Sequence, residues 1–162
     1  MFLGALWGYK ESNYLGMRDL VRTYDGSLGI FLMDINTSKV GFKTMSLKFV
    51  KLFDGVRQDS GDEYKIGNAV IKRYEELGII PTKITIAFSN ALDFNKYLDI
   101  YNYFVGLILI STRIGINLTN DTRFKPANIA LRLSKCRNNK NNQEWRKCIK
   151  ISDDLGKHLG DD

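Results

Sequence analysis

Gly55-Val56-Arg57-Gln58-Asp59-Ser60-Gly61-Asp62 places an arginine, two carboxylates and a hydroxyl in the turn after a predicted strand. In α/β enzymes the ligand-binding groups gather at such strand ends. The Arg57 guanidinium is a planar fork of donors that matches a carboxylate or a phosphate. Asp59 and Asp62 are of the type that holds a ribose hydroxyl or a hydrated Mg²⁺, and Gly61 permits a tight turn or close approach of backbone to a ligand. The same composition also serves plain turns, since Asp, Ser and Gly favour them on conformational grounds alone.

The flanking sequence supplies the frame. Leu28-Gly29-Ile30-Phe31-Leu32-Met33 is a short, nearly continuous apolar run, which predicts a strand in a sheet covered on both faces. Phe53–Arg57, Lys83–Phe88 and Leu107–Ile110 predict three more strands. Helical spacing of apolar residues predicts helices over Trp7–Tyr24, from Ser38 to Lys51, over Tyr64–Leu77 with Gly78 as its C′ residue, and from Asp93 to Phe104. Strands alternating with helices of about a dozen residues give βαβ units and a parallel sheet. The end of the chain differs. Asn128–Lys135 and Trp145–Ile151 predict the arms of a hairpin around the polar run Arg137–Asn142, with Cys136 and Cys148 on opposite arms as reduced thiols. The organisation expected is an α/β body over residues 1–127, with the carboxyl-terminal β-hairpin and tail, 128–162, packed on it as one domain overall. The basic residues of that region, Lys150 among them, are expected on a solvated edge.

The 162 residues fit one domain with a real core. A net charge of +6 suits anionic ligands such as nucleotides and phosphosugars, and no run of like charge is long enough to make nucleic acid the leading partner. No stretch approaches the roughly 20 apolar residues that span a bilayer. The start, Met1–Tyr9, lacks the basic flank of a signal peptide, and two cysteines are too few for a disulfide scaffold, so a cytoplasmic location is expected, with neither membrane nor nucleic acid as partner.

Four strand ends are expected to converge: Met33-Asp34, Arg57–Ser60, Ser89-Asn90, and the loop from Ser111 to Asn117 that carries Gly115. Helix capping accounts for Asp34, Thr37 and Asp93 equally well, but less well for Arg57 and Gly115.

These segments resemble the nicotinate phosphoribosyltransferase family. Phe53–Asp62 is similar to its Val-Arg-His-Asp-Ser-Gly-Asp segment, and Leu28–Asp34 to its Leu-Gly-Ile-Ala-Leu-Thr-Asp strand. Phe88–Asp93 resembles its Phe-Ser-Asp-x-Leu-Asp, Ser111–Asp121 its Ser-Phe-Gly-Ile-Gly-Thr-Asn-Leu-Thr-Asn-Asp, and Lys150–Lys157 its Lys-Leu-Ser-Asp-x-Pro-Gly-Lys. The order agrees throughout. The resemblance implies a partial βα barrel of the type II phosphoribosyltransferase kind, corresponding to the carboxyl-terminal half of the family's chain. It implies synthesis of nicotinate mononucleotide and pyrophosphate from nicotinate and phosphoribosyl pyrophosphate, with Mg²⁺ and coupled ATP hydrolysis as part of NAD biosynthesis. By the same resemblance Arg57 would bind the nicotinate carboxylate. Asp59, Ser60 and Asp62 would line the ribose and Mg²⁺ side, with Asp34 and Ser89 facing the cleft. Gly115 and Asn117 would belong to the loop that holds the 5′-phosphate.

The family's phosphorylated histidine lies in a Gly-Thr-x-Ala-His-Glu segment that these residues do not contain; the only histidine is His158. The isolated chain is therefore expected to be inactive, and to associate with the missing amino-terminal half or with itself. Departures from the family pattern are Met33 for Thr, Gln58 for His, Glu63 for Pro, Asn90 for Asp, Arg113 for Gly and Ile116 for Thr. Asn90, Arg113 and Ile116 favour an alternative, a non-catalytic remnant that acts as a nucleotide-binding or assembly module. Nicotinamide phosphoribosyltransferase, of related fold, is a nearby enzymatic alternative.

Overall fold

A computed structural model describes residues 1–27, 29–115, 122, 124, 131–138, 144–154 and 158. Its centre is a parallel sheet of β1 (Ile30–Leu32), β2 (Gly55–Gln58), β3 (Thr85–Phe88) and β4 (Leu109–Thr112), whose spatial order follows the chain without reversal. The register aligns Phe31, Val56, Ile86 and Ile110 across all four strands, and Leu32, Arg57, Ala87 and Ser111 on the next rung. Side chains alternate between faces along a strand, so these two rungs point oppositely. The first is buried at Phe31, Val56 and Ile86 under the helices. The second is not: Leu32, Arg57 and Ala87 are only half-buried and Ser111 is exposed. The Leu28–Met33 run predicted a sheet covered on both faces; among the described residues only one face is well buried.

Between the strands run α3 (Ser38–Thr44) and α4 (Leu47–Leu52), then α5 (Glu63–Glu76), then α6 (Phe94–Phe104). Helix α5 buries Ile66, Gly67, Val70 and Tyr74, one stripe of a 3.6-residue repeat. Gly67 carries no side chain because a Cβ there would fall on the ring of Phe104, and Phe104 in turn stacks on Phe88 of β3, with ring centroids 5.6 Å apart. The C-terminus of α5 closes as expected. Gly78 has φ 71, its N–H bonds to the Glu75 carbonyl and that of Ile79 to the Tyr74 carbonyl, each at 2.9 Å. This is a Schellman closure, in which the left-handed position excludes a Cβ on energetic grounds.

Two predicted helices differ from those observed. The one expected over Trp7–Tyr24 starts later, as α2 (Ser12–Tyr24), and an unpredicted α1 (Phe2–Trp7) precedes it and ends at Gly8, φ 94. The Ser38–Lys51 helix stops at Met45, whose side chain is buried in the core and whose carbonyl accepts from Arg73 Nη2 at 2.7 Å. Ser46 then turns extended, and α4 starts afresh.

At the carboxyl end β5 (Lys135–Cys136) and β6 (Arg146–Lys147) pair antiparallel. The pairing is shorter than the predicted arms, and residues 128–130 and 139–143 lie outside the described part. Cys136 and Cys148 are buried and free, and pack with Ala5 of α1. Arg146 Nη1 reaches the carbonyls of Ala5 and Leu6, tying α1 to the hairpin. Among the described residues no helix is long and apolar enough to cross a membrane.

Candidate functional site

The carboxyl ends of β2, β3 and β4 open onto a cavity of about 460 Å³ lined by Arg57, Asp59, Ser89, Ala91, Leu92, Arg113 and Gly115. The strand ends create it: β2 and β4 finish on polar residues, Arg57-Gln58 and Ser111-Thr112, and β3 is followed at once by Ser89. Arg57 is fixed from two sides. Its Nη2 donates to Asp59 Oδ1 at 2.8 Å and its Nε to Ser89 Oγ at 2.9 Å. Ser89 Oγ lies 2.9 Å from Asp59 Oδ1 and 2.8 Å from the Gln58 carbonyl, the two acceptors within reach of its proton. A guanidinium held by two planar contacts is oriented before any ligand arrives, which lowers the ordering cost of binding.

The two nearest carboxyls have opposite characters. Burial alone would push Asp59 up, but hydrogen bonds from Ser89 and Arg57 and the charges of Arg57 and Lys150 outweigh it, so its pKa is lowered. Asp34, after β1, is pushed up by burial, against the hydrogen bond from Ser60. Ser60 Oγ donates to Asp34 Oδ2, and the backbone N–H of Asp59 approaches the same oxygen at 3.3 Å. Among the described residues, Asp34 Oδ1 is buried without a hydrogen-bond partner.

The expected site residues thus fall into layers. Arg57, Asp59, Ser89 and Gly115 line the cavity. Asp34 and Ser60 are buried and engaged with each other, supporting the β2 turn. Asp62 sits at the head of α5 and caps it, accepting from the Lys65 N–H at 2.8 Å. Asn117 lies outside the described residues. Gln58, at the position of the family's histidine, is buried and donates to the carbonyls of Ser60 and Gly61, both at 2.9 Å, so it shapes the turn from inside. Asn90 Nδ2 donates to the Gly61 carbonyl at 3.2 Å. Of the predicted caps, Asp93 holds the Lys96 N–H at 2.8 Å. Thr37 makes no side-chain cap to α3; the distant Asp153 carboxylate takes the Ser38 N–H instead, at 2.9 and 3.1 Å.

Lys150 corrects an expectation. Predicted on a solvated edge, its side chain is only 15% exposed, with Nζ 3.6 Å from Asp59 Oδ2. Asp154 also reaches in and accepts from the Gly61 N–H at 3.1 Å. Nothing local marks these residues for the site; the signal is their place in the Lys150–Lys157 motif.

Comparison with known proteins agrees with this architecture. A sequence model of the nicotinate phosphoribosyltransferase (NAPRTase) family matches residues 6–162. The chain belongs to the nicotinate phosphoribosyltransferase family. It is 40% identical over 161 residues to the nicotinate phosphoribosyltransferase of Desulforapulum autotrophicum, and 41% identical to that of Chromohalobacter salexigens, covering in each case 99% of this chain and 41% of the relative. The crystal structure of nicotinate phosphoribosyltransferase from Porphyromonas gingivalis superposes with a TM-score of 0.92 at 39% identity, over 98% of this chain and 41% of that one. A structure of the enzyme from Vibrio cholerae gives 0.84 at 30% identity, over 94% and 37%. This family member therefore spans about 41% of the length of those first relatives.

Mg²⁺, which the family resemblance implies, finds no ready cage here. Among the described residues no three His, Cys, Asp or Glu side chains converge as ligands, and Asp59 already faces two cations. Protein-bound Mg²⁺ commonly takes one or two carboxylates together with substrate phosphates, but the donor set of these residues does not by itself fit the ion.

Proposed function

We propose that this chain supplies one wall of a nicotinate phosphoribosyltransferase active site, in which nicotinate and phosphoribosyl pyrophosphate become nicotinate mononucleotide and pyrophosphate. The observation that carries the reading is Arg57, pre-oriented by Asp59 and Ser89 in a cavity that also holds Arg113 and Gly115. Arg57 takes the nicotinate carboxylate and aligns the ring nitrogen for attack on the ribose. Asp59, ionised at neutral pH, offsets the positive charge that develops on the sugar as pyrophosphate leaves. Arg113 and the backbone at Gly115 take the 5′-phosphate, Arg113 contributing charge where the family pattern uses only backbone. Mg²⁺ and ATP belong to the intact family enzyme in this reading, the ion brought by the substrate's phosphates.

We read residues 1–127 as part of a βα barrel and 128–162 as a hairpin and tail packed on it, in a cytoplasmic protein. The strand order without reversal supports the barrel, since a doubly wound sheet changes direction at its switch point. The open face bearing Leu32 and Ala87 is the surface that such a barrel would turn inward. The complementary amino-terminal portion of the family's chain is the partner this implies.

The test is reconstitution. This chain, co-expressed with the amino-terminal portion of a family relative, should form nicotinate mononucleotide from nicotinate and phosphoribosyl pyrophosphate, and Arg57→Ala should lower the rate at least a hundredfold. Absence of product from every such pairing would sink the transferase reading. A non-catalytic nucleotide-binding module, which Arg113 in the cavity wall favours, would bind a nucleotide without turnover.

A further inference from the structure

Lys150 is held at the site by more than its own side chain. Ile151 bridges to Asn36 in parallel fashion: its N–H bonds to the Ile35 carbonyl at 3.2 Å, and its carbonyl accepts from the Thr37 N–H at 2.9 Å. Asp153 holds the head of α3 and Asp154 the turn at Gly61. The segment 150–154 is thus fastened to both the β1 and the β2 strand ends, and Lys150 is delivered, largely buried, to the Asp59 oxygen that Arg57 does not take. Arg57 Nη2 is on Oδ1 at 2.8 Å, Lys150 Nζ on Oδ2 at 3.6 Å. Arg57 forms part of the cavity wall; Lys150 does not.

We propose that Lys150 is a positioning residue: by sharing the Asp59 carboxylate from behind the cavity, it leaves the Arg57 charge incompletely paired and so available to an anionic ligand. One carboxylate fully paired with one guanidinium presents a neutral dipole to a ligand. The same carboxylate divided between two cations leaves one net positive charge, and Arg113 in the wall adds a second. Asp34, the other carboxyl facing Asp59, opposes this least, because burial favours its neutral form. Among the described residues, the groups that face Asp59 include Arg57 from β2, Ser89 after β3, Asp34 after β1 and Lys150 from the carboxyl-terminal segment. The inference rests on reading the cavity as the transferase's anion site.

Two readouts on the full chain separate the inference from that reading. Carbon-detected NMR follows the titration of the Asp59 carboxyl, and calorimetric titration with inorganic pyrophosphate and with nicotinate follows anion binding. Lys150→Met should raise the Asp59 midpoint by about one pH unit and weaken pyrophosphate binding roughly five- to tenfold, while Lys150→Arg should keep both near wild type. Should the Met variant not fold, Lys150→Gln takes its place. A folded neutral variant with an unmoved Asp59 midpoint, or an Arg variant as impaired as the neutral one, would overturn the charge sharing. A wild-type chain that binds neither probe while its Asp59 midpoint still responds to Lys150 would uphold the sharing and overturn the reading of this cavity as an anion site complete within this chain.

Discussion

The Ser60 hydroxyl donates to the Asp34 carboxylate and locks the end of β2 to the end of β1 where neither side chain meets solvent. Among the described residues Asp34 Oδ1 is already without a partner, so this contact is a large part of what makes a buried carboxyl tolerable. Ser60→Ala should cost about 1–3 kcal/mol, the penalty for a buried polar group left unsatisfied. Urea denaturation of wild type and variant checks it. A loss below a few tenths of a kcal/mol would mean that Asp34 is hydrated or rearranges.

The two carboxyls also oppose one another in their pH dependence. Asp59 has its folded pKa lowered, so the stability it contributes is full above its unfolded value of about 4 and is lost as pH falls through the folded value. Asp34 has its folded pKa raised. Its contribution is full below the unfolded value and is lost as pH rises through the folded one. Urea midpoints measured from pH 2 to pH 7 should therefore show a shallower acid limb in Asp59→Asn than in wild type. Asp34→Asn should instead remove a decline on the higher-pH side. Parallel profiles for wild type and both variants would contradict the assignment.

What the sequence makes legible here is what local pattern encodes. Alternating strands and helices and the C′ role of Gly78 follow from short-range rules, and the convergence of Arg57, Asp59 and Ser89 from the rule that parallel strand ends share one side of the sheet. The break at Met45 is less visible, because apolar residues at helical spacing (Phe42, Met45, Phe49) run across it, and the contact of Arg73 with the Met45 carbonyl, where the helix stops, comes from a distant part of the chain. Asp62 reads as a ligand or a plain turn residue, and the structure finds it capping α5. Lys150 and Asp153 act on partners 91 and 115 residues away, a separation to which no periodicity speaks.

Gly78 offers a clean test of backbone against packing. Its φ is 71, and a Cβ placed there meets nothing within 4 Å. Gly78→Ala should therefore lose only the left-handed backbone preference, about 1–2 kcal/mol, with the fold and the cavity unchanged. A thermal melt reads the loss, and an amide NMR spectrum altered only around α5 and η1 (Pro81–Lys83) would confirm its local origin. A loss well above this range would point to disruption of the whole Schellman closure.

The open side of the sheet has a physical consequence for the chain in solution. Among the described residues β1 and β4 are both edge strands. The approach to β4 exposes Val105, Leu107 and Leu109 at 53%, 48% and 51%, and the other edge exposes Ile30 at 43%. Unpaired strand edges flanked by apolar side chains template pairing with another chain, and contiguous exposed apolar surface drives association. Sedimentation velocity should accordingly show concentration-dependent association of the isolated chain. Leu109→Lys should weaken it by placing a charge on the edge, and the complementary amino-terminal portion of a family relative should replace it with a defined complex. A chain that stays monomeric at high concentration would mean that twist and the polar residues between these side chains already protect the edges, and would remove the physical reason for expecting a partner on that face.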